Sequence, residues 1–156
     1  MTGLWTISIG LAVDPPSPPP YLAKPFDDRA SAKMAARKIL VVDDEATIAE
    51  TLVEILKGEG FEAVAAYNGH EAVELARSFK PDIVLSDVVI PGPNGVETGI
   101  QIRQLLPRCV VILFSGQAET ADLLRDARAR GHEFQILAKP IRPQTLLDTL
   151  KRQRPG

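Results

Sequence analysis

The chain holds 156 residues, 45% hydrophobic and 24% charged, with 18 Lys and Arg against 20 Asp and Glu for a net charge of -2. That composition belongs to one ordinary globular domain with room for a tail, not to a fibrous or disulfide-stapled chain. The near-neutral charge gives no long-range attraction to nucleic acid or anionic lipid, and no apolar run approaches the roughly 18 to 20 residues of a membrane span.

In chain order, residues 1–36 come first and differ from the rest. "DPPSPPPYLAKP" carries six prolines in twelve positions, too many missing donors for a helix or an inner strand. This stretch is expected to be extended and disordered, polyproline-like. It reads as a passive tail, as a proline-rich ligand for an aromatic groove, or as sequence that is not translated at all. The last reading takes Met34, at the head of "MAARKILVVDDE", as the start. "GLWTISIGLAV" looks like a short signal core, but no Lys or Arg precedes it and a small-residue cleavage pattern is absent.

From residue 37 to 152, short apolar runs alternate with helical patterns. The runs are "ILVV" (39–42), "EAVAAY" (62–67), "DIVLS" (82–86), "VVILF" (110–114) and "FQILA" (134–138). Three are unbroken aliphatic stretches, as expected of parallel strands covered on both faces. Between them, Ile48, Leu52, Ile55 and Leu56 recur at helical spacing in 46–57, with Gly58 or Gly60 as the stop. Ala72, Leu75, Ala76 and Phe79 form a stripe in 69–79, before Pro81. Segment 96–106, with Val96, Ile100 and Leu105, ends before Pro107, and 118–130 ends at Gly131. The last helix, 143–152, opens on Pro143 and turns Leu146, Leu147 and Leu150 inward. "KRQR" at 151–154 reads as its solvated end, where cations suit the helix dipole; residues 153–156 form a short C-terminal tail. Five strand–helix repeats give an α/β parallel sheet with right-handed crossovers. Cys109, the single cysteine, lies against "VVILF" and reads as a small buried hydrophobe; a reducing, cytoplasmic setting is the expectation.

Ligands of open parallel sheets bind beyond the carboxyl ends of the strands. There the sequence places Asp43, Asp44 and Glu45 after the first run, Asp87 after the third, Ser115 and Gly116 after the fourth, and Lys139 and Pro140 after the fifth. The second run ends without an obvious reactive group. Taken singly, each has an ordinary explanation: a helix cap for "DDEAT" and Ser115, a turn for Asp87, a solvated charge for Lys139. Four strand ends with complementary chemistry are harder to explain that way.

If the first and third strands are neighbours, Asp43, Asp44 and Asp87 come together. Like charges about 4 Å apart repel by roughly 4 kcal/mol at an effective dielectric of 20, so the cluster needs a cation. Lys139 supplies one positive charge. Oxygen ligands without His or Cys favour a hard ion such as Mg²⁺ over a transition metal. His70 and His132 are expected in loop-like regions far from this edge. A carboxylate beside Mg²⁺ and an ammonium is a competent phosphoryl acceptor, and Ser115 can donate a hydrogen bond to a phosphoryl oxygen.

With "ILVVDDE", "PDIVLSDVVIPGPNG", "FSG" and "AKP" in order, and Pro91 and Gly95 four and eight residues after Asp87, residues 37–152 resemble the receiver domain of bacterial two-component response regulators. The resemblance implies a flavodoxin-like (βα)5 fold with strand order 2-1-3-4-5. It implies that Asp87 takes a phosphoryl group from a sensor histidine kinase or a histidine phosphotransfer protein. Asp43, Asp44 (through water), Asp87 and the Val89 carbonyl would hold Mg²⁺, and Ser115 and Lys139 would contact the phosphoryl group. Phosphorylation would rearrange the surface of the fourth helix, fifth strand and fifth helix and so change the grip on an unknown downstream protein. The aromatic common three residues before the Lys is replaced by Ile136, with Phe134 two residues earlier as a substitute. The connection "GHEFQILAKP" is one residue longer than usual, and Gly116 leaves more space over the site than Ala. With no output module after the fifth helix, a stand-alone receiver is the expectation.

Two rival readings remain at this point. One is a receiver-like binding module that works without phosphorylation. The other is a phosphatase of the haloacid-dehalogenase type, whose nucleophile would be Asp43 in "DDEAT"; Glu45 stands there where that pattern wants a second Asp.

Overall fold

The structure, a computed structural model, describes residues 37–116 and 120–153. The expected tail at 1–36, the start at Met34 and the ends of the "KRQR" and C-terminal segments therefore lie outside the described residues.

Ten elements alternate: β1 (Lys38–Val42), α1 (Ala46–Gly58), β2 (Glu62–Ala66), α2 (Gly69–Phe79), β3 (Ile83–Asp87), α3 (Gly95–Leu105), β4 (Val110–Ser115), α4 (Thr120–Ala129), β5 (Gln135–Ala138) and α5 (Pro143–Arg152). The strands form one parallel sheet in the order β2-β1-β3-β4-β5. Val42 pairs with Ala66 on one side and Ser86 on the other, Asp87 with Phe114, and Ser115 with Ala138. The reactive residues therefore leave the sheet at one level.

Strand alternation splits the core in two. Leu40, Val42, Val84, Val111 and Leu113 face α2 and α3, where Ala72, Ala76, Val96, Ile100 and Ile102 meet them, with Ala127 of α4. Ile39, Val41, Ile83, Leu85, Ile112 and Phe114 face α1 and α5, packing on Ala49, Val53, Leu56, Leu146, Leu147 and Leu150. Cys109 is buried as expected, and burial pushes its thiol up to about 12, far from a nucleophile's range.

The inward faces of two helices differ from the sequence expectation. In α1 the fully buried line is Ala49, Val53 and Leu56, while Ile48 is 39% exposed. The small Ala49 lets the helix lie close to the sheet, which turns the larger Ile48 to the flank. In α3, Ile102 is fully buried and Leu105 is 37% exposed. Helix α4 is the most lightly attached: Thr120 and Ala127 are its buried residues. An ion pair from Arg130 to Glu97 at 2.6 Å ties its end to α3.

Two glycines end helices where other residues would strain. Gly60 has φ +95°; its N–H donates to Lys57 O, and that of Phe61 to Leu56 O. Gly131 has φ +90°, with its N–H on Arg128 O and that of His132 on Ala127 O. Both are Schellman caps, whose left-handed residue costs a side chain about 1–2 kcal/mol. Gly60→Ala and Gly131→Ala should each lower unfolding free energy by about 1 kcal/mol in urea titrations; unchanged midpoints would show that these caps do not carry strain.

Candidate functional site

Each site residue is carried to the sheet's carboxyl edge by its own strand. Asp43 directly follows β1, is 1% exposed, and its N–H donates to Ala66 O at 3.1 Å, continuing the ladder with β2. Its Oδ1 accepts from Glu45 N–H at 2.9 Å, which bends the chain into α1. Asp44 projects outward and is exposed. Asp87 is the last residue of β3 and is buried, and the pairing of Val42 with Ser86 sets it beside Asp43. Ser115 ends β4, and Lys139 follows β5 with its N–H on Ser115 O at 3.1 Å.

Of these side chains, that of Lys139 reaches Asp87. Lys139 Nζ lies 2.5 Å from Asp87 Oδ2, and Val89 N–H donates to Asp87 Oδ1 at 3.1 Å. Both carboxylate oxygens are thus held, one by an ammonium and one by backbone. The Lys139–Pro140 peptide is cis. A Cβ at Gly116 would lie 3.1 Å from Lys139 Cβ and 3.4 Å from Cδ, so the space that this glycine leaves is occupied by the lysine stem.

The turn after β3 is fixed by backbone proximity. Gly95 N–H donates to Val88 O at 2.7 Å, and a Cβ at Gly95 would overlap the Asp87 carbonyl. Asn94 caps α3 through Glu97 N–H at 3.0 Å, and Thr98 Oγ1 donates to Pro93 O at 3.0 Å. Gly69 N–H donates to Pro91 O at 3.1 Å, tying the turn to the start of α2.

Charge in this pocket is unbalanced. Burial raises the Asp43 carboxyl above its usual range, and the nearby charges of Asp87 and Asp44 raise it further; the Glu45 N–H and Lys139 act against them. With all four groups ionised, three carboxylates and one ammonium leave two negative charges uncompensated. Among the described residues, no three His, Cys, Asp or Glu side chains converge into a closed metal cage. Mg²⁺ is commonly held by one or two carboxylates and completes its octahedron with solvent and phosphate oxygens. Asp43 and Asp87, with the Val89 carbonyl in the same turn, fit that requirement. Exposed Asp44 suits a water-mediated place.

The structure also shows what the sequence hid. Ser115 Oγ is hydrogen-bonded to Thr120 Oγ1, at the first residue of α4. Nothing in the sequence singles out Thr120 for this contact. The second strand ends beside Tyr67, whose hydroxyl donates to Glu50 Oε2 at 2.9 Å. His70 is not in a remote loop. It is the second residue of α2, and a Cβ on Gly92, in the turn after Asp87, would lie 3.0 Å from its Cδ2. Phe134 precedes β5, at its far end from Lys139. Its ring fills the notch at Gly99 and lies 4.3 Å from the Arg103 guanidinium carbon. That contact anchors α3. Ile136 is 39% exposed.

The comparisons with known proteins agree with this geometry. The response regulator receiver domain family matches residues 39–151. The DNA-binding response regulators MtrA of Mycolicibacterium paratuberculosis and Mycobacterium tuberculosis are each 30% identical over 111 residues. That stretch covers 71% of this chain, and 48% and 47% of theirs. The chain thus spans about half the length of these curated relatives. Among solved structures, the chemotaxis response regulator CheY4 of Vibrio cholerae is 29% identical with a TM-score of 0.65, over 75% of this chain and 98% of that one. A receiver domain protein from Clostridium thermocellum is 28% identical with a TM-score of 0.66, over 74% and 91%. Strand order, site arrangement and family match lead to one conclusion: the chain belongs to the response regulator receiver domain family.

Proposed function

We propose that the chain is a phosphoryl acceptor in a two-component phosphorelay, with Asp87 as the residue modified. The observation that carries this reading is the Lys139 ammonium on Asp87 Oδ2 at 2.5 Å, beside buried Asp43. An Asp87 carboxylate oxygen attacks phosphorus; a P–O bond to Asp87 forms and the P–N bond to the donor's phosphohistidine breaks, its electron pair staying on nitrogen, so that a ring protonated on its other nitrogen leaves as neutral imidazole. Lys139 neutralises charge on the transferring oxygens, and Ser115 donates to one of them. Asp43, Asp87 and the Val89 carbonyl, with Asp44 through water, would hold Mg²⁺, which when bound offsets the phosphoryl charge. The donor is a sensor histidine kinase or a histidine phosphotransfer protein.

The readout is a protein that senses the surface of α4, β5 and α5, where α4 is lightly held and Ile136 is exposed. The setting is the cytoplasm; the reduced, buried Cys109 is compatible with it, and among the described residues no helix is long and apolar enough to cross a membrane. A dehalogenase-type reaction would need Asp43 as nucleophile, yet the lysine contact falls on Asp87.

Incubation with Mg²⁺ and acetyl phosphate, followed by intact-mass measurement, should show one phosphoryl group on the wild type. Asp87→Asn should take none. Label retained in that variant, or found on Asp43, would overturn the assignment, and no label on the wild type would favour a phosphorylation-independent module.

A second expectation concerns Asp43. Because burial raises its carboxyl in the fold, ionised Asp43 costs folding free energy above the raised pKa. That cost disappears as pH falls below the unfolded value of about 3.9. Asp43→Asn should therefore stabilise the metal-free protein at neutral pH, and the gain should shrink toward pH 4. The same variant should weaken Mg²⁺ binding by at least about tenfold, the effect already typical of outer-shell partners. Urea titrations at the two pH values and calorimetric Mg²⁺ titration measure both; wild-type metal affinity in the variant would remove Asp43 from the ligand set.

A further inference from the structure

We infer that Thr120 is a positioning residue for the phosphoryl-transfer site: its hydroxyl holds the Ser115 hydroxyl on α4 and so sets how readily Ser115 turns to a phosphoryl group on Asp87. The inference rests on the phosphoryl-acceptor reading above and names a residue which that reading does not use.

Its starting point is where each donor is engaged. Asp87 Oδ2 accepts from Lys139 and Oδ1 from Val89 N–H. Ser115 Oγ, on the neighbouring strand, is instead bonded to Thr120 Oγ1. A hydroxyl has one proton to donate, and whichever of the two gives it, the bond fixes the Ser115 rotamer toward the start of α4. Thr120 is 2% exposed, so its hydroxyl is held within the fold and water does not freely replace it. Ser115 is only partly buried, so it can leave this partner for another without being stranded.

A phosphoryl group on Asp87 brings three acceptor oxygens carrying negative charge, and a hydrogen bond to a charged acceptor is stronger than one between two hydroxyls. Ser115 then gains by turning, but the Thr120 bond must break first. The same break removes one tie on the first residue of α4, the helix that buries least of itself. Occupancy of Asp87 is thereby coupled to the freedom of the α4 end. The bond opposes occupancy, so removing it should tighten binding of a phosphoryl mimic.

Beryllium fluoride with Mg²⁺ is the probe, titrated into the full chain by isothermal calorimetry. Thr120→Val keeps the shape and deletes the hydroxyl, and should tighten binding about two- to tenfold, the size of one neutral hydrogen bond. Thr120→Ser keeps the hydroxyl and should bind like wild type. In a Ser115→Ala background, Thr120→Val should change nothing, because the group it restrains is gone. If Thr120→Val acts equally with and without Ser115, or leaves wild-type binding unaltered, the positioning role is wrong. Should Thr120→Val melt early by circular dichroism, Thr120→Ala in both backgrounds decides in the same way. Failure of wild type to bind the probe, with no label from acetyl phosphate, would instead sink the phosphoryl-acceptor reading.

Discussion

Two carboxylates at the ends of adjacent strands, inside one largely buried pocket, are the constraint from which the rest of this molecule follows. Asp43 and Asp87 repel each other there, and burial makes the repulsion harder to screen. Such an arrangement persists because the sheet imposes it. Parallel pairing of β1 with β3 sets the two strand ends level, and the aliphatic sides of both strands are locked between helices. The hydrophobic core thus holds an electrostatically unfavourable site in place, as functional sites commonly require. Lys139, brought in from β5, relieves part of the strain; the remainder is an attraction for a cation.

The surrounding structure is graded in firmness. The turn after Asp87 is bound by Gly95, Asn94 and the link from Gly69 to Pro91, so the Asp87 carboxylate has little room to wander. On the other side, β5 is short and largely exposed, and α4 is secured by few buried side chains. Segments with little buried apolar area open at low free energy. A site whose central carboxylate is rigid and whose flank is loose can convert a local change of charge into a surface change. The Ser115–Thr120 contact lies on the boundary between the two.

Much of this was legible in the chain. Short apolar runs such as "VVILF" suit strands covered on both faces, and glycines and prolines at 60, 81, 107, 131 and 143 punctuate the helices within a residue or two of their observed ends. The four strand-end motifs identified the family, and the residues that carry them lie at one edge of the sheet. Less legible was the rotation of the helices. Ala49 carries little hydrophobic signal, yet its smallness lets α1 approach the sheet, so the larger Ile48 was the misleading choice. Contacts across turns were also hidden. Whether Ser115 bonds to Thr120, or His70 lies over Gly92, depends on how loops bring separate elements together. Spacing alone does not encode that. By strand alternation Phe134 is expected on the face of Ile136; β5 begins one residue later, and the ring lies in the notch at Gly99.

The central claim is that the ends of β1 and β3 form one cation pocket. Substoichiometric Mn²⁺ added to ¹⁵N-labelled protein addresses it directly, because a paramagnetic ion broadens amide signals close to it. The account predicts selective loss of the Asp43, Asp44, Asp87 and Val89 amides. Signals at the opposite edge of the sheet, around Asp82 and Cys109, should stay sharp. Broadening centred on that far edge, or spread evenly over the surface acids, would contradict it.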